Sequence, residues 1–262
     1  MKTYSIFETH AHYDDEAFEP DRDGLLSSLQ GNGIGTVVNV CASVGELGRT
    51  IALTEKYPFV YGAVGVHPDD ADKMTEQTLN EIRELSRREK ILAIGEIGLD
   101  YYWHKEEAAH EIQKKMFRAQ MDIAREEKLP FMIHSRDAAK DTLDIVKEYM
   151  DEGMYGGIIH CFSYGKEMAE QYLNMGLYLG IGGVVTFKNA KKLKEVVEYA
   201  PLEQLVLETD SPYLSPEPNR GKEQFPEPAL CSPGYWRTEG DFRGGSDSHY
   251  RAECREASFY IA

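Results

Sequence analysis

Short, nearly continuous apolar runs alternate along the chain with longer stretches whose apolar positions recur at helical spacing. The runs occupy residues 4–9, 36–41, 59–65, 91–95, 131–134, 157–160, 177–182 and 205–208. Runs that are apolar on successive residues suit parallel strands covered on both faces. Between them, 76–88 and 111–127 are charged and periodic, and 138–150, 166–175 and 189–200 have similar lengths. Eight strands separated by seven helices or turns predict an α/β fold, a TIM (β/α)8 barrel without its last helix. A doubly wound sheet is the rival. It calls for a glycine-rich GxGxxG crossover after the first strand, and the segment after Thr9 has none.

The pattern stops past Gly221. Residues 222–262 hold one Leu, one Ile and no Val, with prolines, glycines, arginines and serines in their place. Such a composition cannot make an ordinary amphipathic eighth helix. The chain therefore divides into a barrel over 1–221 and an atypical tail over 222–262, expected to be irregular or disordered. The tail's aromatics, Phe225, Tyr235, Trp236 and Phe242, would give the barrel partial cover at best.

Composition narrows the class. In 262 residues there are 29 Lys and Arg against 45 Asp and Glu, a net charge of −16. That balance argues against a broad non-specific grip on nucleic acid. It leaves room for a nuclease, because bound divalent cations supply local positive charge. No run of about 18 apolar residues suggests a membrane span, and the first residues lack the apolar core of a signal peptide. Cys41, Cys161, Cys231 and Cys254 have no CxxC spacing. Free thiols and a cytoplasmic chain are the expectation.

The candidate chemistry sits where the strands end. His10 and His12 close the first run as His-Ala-His, and alternate residues on a strand face one side. Glu96 follows the fourth run, His134 closes the fifth, His160 the sixth, and Asp210 follows the eighth. The C-terminal ends of barrel strands converge on one face. Four imidazoles and two carboxylates gathered there suit two divalent ions. Glu96, with two oxygens to share, suits a bridge between them, and Asp210 could bind one ion and take a proton from water. Hydrolysis is the chemistry such a pair performs.

These residues sit in motifs that resemble the TatD family of metal-dependent hydrolases. The motifs are His10-Ala-His12, Gly65-Val66-His67-Pro68, Gly95-Glu96-Ile97-Gly98-Leu99-Asp100-Tyr101-Tyr102, His134-Ser135-Arg136, His160-Cys161-Phe162-Ser163 and Glu208-Thr209-Asp210-Ser211-Pro212. The resemblance covers about residues 4–221. It implies a metal-dependent-hydrolase TIM barrel with a two-metal centre of Mg²⁺, Mn²⁺ or Zn²⁺. The ligands it implies are His10, His12, Glu96, His134, His160 and Asp210, with Glu96 and Asp210 catalytic. The implied activity is that of a deoxyribonuclease, acting on single strands or 3′ ends in the 3′–5′ exonuclease manner, without a membrane and as a monomer.

His67 resembles the family's phosphate contact. Arg136 could fork onto a phosphate or bridge to a helix acid. Tyr101, Tyr102 and Trp103 could stack bases or simply pack. Cys161 reads as core, and Asp14, Asp15 and Glu16 as a solvated acidic face. Two other functions compete. One is a barrel amidohydrolase or esterase acting on a carbonyl substrate such as an aminoacyl-tRNA ester. Some amidohydrolases, however, bridge their ions through a modified Lys where Glu96 stands. The other is an inactive metal-binding remnant, because the family pattern breaks after Asn219-Arg220-Gly221-Lys222, by a shifted reading frame or a divergent terminus.

Overall fold

The computed structural model describes residues 6–221. The expectations for the tail, 222–262, lie outside the described residues. Eight parallel strands form one sheet in sequence order: β1 (Ile6–Ala11), β2 (Ile34–Val40), β3 (Val60–Val64), β4 (Ile91–Asp100), β5 (Phe131–Arg136), β6 (Gly157–Ile159), β7 (Tyr178–Ile181) and β8 (Leu205–Leu207). Seven helices connect them: α1 (Arg22–Leu29), α2 (Leu47–Lys56), α3 (Glu76–Ser86), α4 (Glu107–Glu127), α5 (Ala139–Asp151), α6 (Lys166–Asn174) and α7 (Lys191–Tyr199). The fold is a TIM barrel, and the doubly wound alternative falls. No helix of the described residues is long and apolar enough to cross a membrane.

Strand alternation builds two apolar layers. Small and branched side chains from alternate positions (Val38, Val40, Ala63, Ala93, Met132, Val206) fill the barrel interior. Their neighbours, among them Val64, Ile94, Ile133 and Leu205, pack outward with the helices. The first two helices carry little warning in the sequence. α1 buries only Leu26 and Leu29, and α2 presents a mixed face of Leu47, Thr50, Ile51, Leu53 and Thr54.

Two strands break register, and each break sets up the mouth of the barrel. The β1–β2 ladder shifts between Glu8 and Ala11, and the β4–β5 ladder between Ile94 and Ile97. In β4, Ala93 packs inward while Ile94, Ile97 and Leu99 pack outward. Strict alternation from Ala93 would send Glu96 outward; the bulge re-aims it inward. Glu96 therefore lies within β4 instead of following it, a correction to the boundary drawn from the apolar run.

β8 and β1 meet through few bonds. The Thr9 hydroxyl donates to the Leu207 carbonyl at 2.9 Å, the Asp210 amide to the His10 carbonyl at 3.0 Å, and the His12 amide to the Ser211 carbonyl at 2.7 Å. Beside this seam lies Glu8, 2% exposed. Its carboxyl accepts from the Tyr13 hydroxyl at 2.9 Å and from the Thr209 hydroxyl. Burial raises its pKa to about 7, against the opposing pull of those hydroxyls. The folded chain thus holds a proton on Glu8 that the unfolded chain releases near pH 4.5. Stability from this group is full below that value and is lost as pH rises through 7, by up to about 3 kcal/mol. Glu8→Gln should flatten the fall in Tm between pH 5 and pH 7.5. An unchanged pH slope in thermal melts would refute the assignment.

Candidate metal centre

The strand ends bring all six expected donors together. His10 Nε2 and His12 Nε2 lie 3.2 Å apart. Both face Glu96 Oε2, at 3.4 and 3.5 Å, and Asp210 Oδ1, at 3.7 and 3.3 Å. The other Glu96 oxygen, Oε1, faces His134 Nδ1 at 3.0 Å and His160 Nε2 at 2.9 Å. Glu96 thus stands between two donor groups and turns one oxygen to each. Donor atoms of three residue sets converge within 4.8 Å: His10, His160 and Asp210; His10, His12 and Glu96; and His67, Glu96 and His134.

The chemistry of the set fits cations. His12 Nδ1 lies 2.7 Å from the Val40 carbonyl, which only accepts. The proton is therefore on Nδ1, and a neutral ring turns a bare Nε2 toward carboxylate oxygens that also only accept. Lone pairs converging in a buried site need a cation among them, whether proton or metal. Without metal, protons serve. Burial opposes charge on His12 and His160, but Asp210 and Glu96 raise the first to about 9, and Glu96 and Glu208 raise the second well above its ordinary value. Burial and the neighbouring His160 lower His10. Glu96 and Asp210 stay ionised, because these imidazoles outweigh the cost of burial.

A cavity of about 590 Å³ opens over the donors. Its wall carries Asp15, Glu46, Asp69, Asp70 and Asp100, with Arg136 as the one Lys or Arg among the described lining residues. An anionic substrate entering so acidic a mouth would need bound cations to offset the repulsion.

His67 joins the mouth. Burial and His134 lower its pKa to about 4, so it is neutral. Its Nδ1 accepts the Asp69 amide at 3.2 Å, which puts the proton on Nε2, facing Glu96 Oε1 at 3.9 Å. The Arg136 guanidinium carbon sits over the Tyr102 ring, 4.0 Å from its centre, with the Trp103 ring centre at 5.6 Å. Tyr102 and Trp103 are exposed, and their rings meet edge to face at 4.7 Å. Tyr101 departs from the expected platform. Its ring stacks on His110 at 3.6 Å and its hydroxyl donates to Asp141 at 2.8 Å, so one ring face and its polar end are taken by packing.

Two further readings are corrected. Cys161 is not core: it follows the end of β6, adopts a left-handed φ of 44°, and lines the cavity. Asp210 has a left-handed φ of 59° as well, so two non-glycine residues beside the centre sit in a sparsely populated backbone region. Asp14 is buried rather than solvated; its carboxylate accepts from the Thr50 hydroxyl and its amide donates to Asn39. Glu16 is the exposed member of that acidic run, and Asp15 is half-buried.

Two acids behind the imidazoles escaped the sequence reading. Glu208 Oε1 accepts the Cys161 amide at 2.6 Å and lies 3.5 Å from His160 Nδ1. It fills the space a Cβ at residue 180 would need, which explains the glycine there. Asp100 contacts His134 from the side away from Glu96. The signal for both was spacing: Glu208 stands two residues before Asp210, and Asp100 four after Glu96 on one strand.

Comparison with known proteins agrees with this geometry. The signature of the family described as TatD related DNase matches residues 7–230. The metal-dependent hydrolase YabD of Bacillus subtilis (strain 168) is 44% identical over 221 residues, spanning 84% of this chain and 86% of YabD. The metal-dependent hydrolase YcfH of Escherichia coli (strain K12) is 35% identical over 225 residues, 84% of this chain and 83% of YcfH. The crystal structure of the TatD homologue YjjV from Escherichia coli K12 superposes with a TM-score of 0.87 at 26% identity, covering 98% of this chain and 97% of YjjV.

Proposed function

The chain belongs to the TatD-related DNase family of metal-dependent hydrolases, and from that premise we propose that it hydrolyses phosphodiester bonds of DNA, shortening single strands from a 3′ end. One observation carries the reading: Glu96 turns one carboxylate oxygen to His10 and His12 and the other to His134 and His160. That division suits two divalent cations of the Mg²⁺, Mn²⁺ or Zn²⁺ class, with Asp210 completing the His10–His12 side and Glu96 shared. When bound, such cations lower the pKa of water and polarise the attacked phosphoryl oxygen.

The chain's own groups do the rest. Asp210, ionised beside His12, accepts a proton from the attacking water on a carboxylate oxygen. His67 offers its Nε2 proton to a phosphate oxygen as a neutral donor. Arg136, which sits over the Tyr102 ring and lines the cavity, takes the next phosphate through its N–H groups while Tyr102 and Trp103 stack bases.

The test is end-labelled single-stranded DNA with each cation in turn. Stepwise shortening that EDTA stops and added cation restores is the expected result. Cleavage of an aminoacyl ester with the DNA intact would overturn the reading in favour of a carbonyl hydrolase. Cation uptake with no turnover of either substrate would overturn it in favour of a binding protein. Arg136→Ala should raise KM for DNA about tenfold and leave kcat within a fewfold, because stacking and phosphate contacts contribute about 1–3 kcal/mol per base to binding. An unchanged KM would remove Arg136 and its aromatic neighbours from the substrate path.

A further inference from the structure

Asp100 is the last residue of β4, 1% exposed, and absent from the convergent donor groups. Every polar atom it has is engaged. Its amide donates to Gln113 Oε1 at 3.0 Å, and its carbonyl accepts from Gln113 Nε2 at 3.1 Å. Gln113 itself is buried on α4. With the backbone clamped, the carboxylate divides its work. Oδ2 lies 3.2 Å from His134 Nε2. Oδ1 accepts the amides of Tyr102, at 2.8 Å, and Trp103, at 3.0 Å.

Both ring nitrogens of His134 face carboxylate oxygens, which only accept; with a cation among the donors on the Glu96 side, Nδ1 gives its lone pair and the one proton left to the ring sits on Nε2 against Asp100. The tautomer and rotation that leave Nδ1 open toward the donor group follow from Asp100. The same side chain anchors the first turn of the loop whose two rings carry Arg136.

We propose that Asp100 is a positioning residue with two simultaneous duties, holding His134 in its Nδ1-donating tautomer and pinning the Tyr102–Trp103 loop beside it, so that cation affinity and order of the aromatic platform depend on one carboxylate. The proposal rests on the cation role given to His134 above and is independent of whether the substrate is DNA.

Two substitutions separate the duties. In Asp100→Asn the amide oxygen still accepts from the loop amides, but its NH₂ faces Nε2 and forces the proton to Nδ1. In Asp100→Ala both contacts go. The measurements use the full chain without DNA: Mn²⁺ affinity by equilibrium dialysis, the His134 tautomer by ¹⁵N chemical shifts with diamagnetic Zn²⁺ in place of Mn²⁺, and quenching of Trp103 emission with the other tryptophan, Trp236, replaced by Phe.

Asp100→Asn should bind Mn²⁺ about 10–100-fold more weakly, as is usual when a carboxylate behind a ligating histidine is lost. It should switch the His134 tautomer and leave Trp103 quenching and Tm as in the parent. Asp100→Ala should lose affinity and also expose Trp103; if that variant fails to fold, Asp100→Asn alone carries the test. Parental Mn²⁺ affinity or an unswitched tautomer in Asp100→Asn would overturn the proposal, as would weaker binding that merely follows a drop in Tm of more than about 10 °C. Absence of DNA cleavage alongside the expected Mn²⁺ and tautomer results would sink the nuclease reading and leave this one standing.

Discussion

Glu96→Gln is expected to reduce kcat/KM on DNA by at least about 10³-fold, some 4 kcal/mol of transition-state stabilisation. The carboxamide keeps the shape of the side chain but turns one of its two ligating oxygens into a donor. One of the two imidazole groups, His10–His12 or His134–His160, would then face an N–H in place of a lone pair. The carboxamide is also neutral, so the negative charge that draws cations between those rings is gone. Two readouts must move together: Mn²⁺ bound per chain, measured by dialysis, should fall, and strand shortening should cease. The circular dichroism spectrum should match the parent, because the buried contacts around Glu96 are polar and a carboxamide can make several of them. Asp210→Asn gives the useful contrast. It leaves Glu96 and all four histidines in place, so uptake should persist in part while turnover is lost. A Glu96→Gln protein that still shortens DNA at the parental rate would remove Glu96 from the centre of the mechanism.

Gly98→Ala is expected to be the most damaging single-methyl change in the barrel. Gly98 pairs with His134 across the β4–β5 ladder and has φ of 140°, a conformation L side chains rarely adopt. A Cβ there would overlap the His134 carbonyl oxygen and come within 2.9 Å of its carbon. These atoms are backbone in the middle of a ladder, so relief means separating β4 from β5. That costs about 4 kcal/mol or more, the range of severe single mutations, and about 8–16 °C in Tm for a domain of this size. The damage also reaches the site, because His134 is the residue displaced. Any folded Gly98→Ala protein should bind Mn²⁺ more weakly than the parent. Gly24→Ala, in α1 with nothing within 4 Å of the added methyl, is the control. It should be neutral or stabilising by about 0.5–1 kcal/mol. Equal melting temperatures for Gly98→Ala and the parent would show that the two strands yield more readily than their geometry suggests.

The strands were legible because parallel strands buried on both faces leave nearly unbroken apolar runs, as in Phe131-Met132-Ile133 and Leu205-Val206-Leu207. The gathering of His10, His12, Glu96, His134, His160 and Asp210 was legible for a related reason: in a barrel the residue at the end of each run shares one rim with all the others. What stayed hidden depended on departures from regularity. A bulge carries no fixed residue signature, so Glu96 read as lying past its strand and nothing gave Asp100 a place on it. Asp14 read as solvated because nothing local announces that Thr50 and Asn39, from α2 and β2, arrive to meet it. The commitment of Tyr101 to His110 and Asp141 is likewise a matter of α4 and α5 packing beside the loop.

The seam between the last strand and the first has a consequence for how the protein comes into being. His10 and His12 leave the ribosome before the other donors of the centre, and Asp210, whose amide bonds to the His10 carbonyl, emerges 200 residues later. Contacts that distant in sequence are the slowest to form. Until its last stretch is made the nascent chain therefore carries at most five of the six donors, and a fragment ending before residue 205 would display its first two histidines with no Asp210 to meet them. Competence arrives in one late step, when the ring shuts.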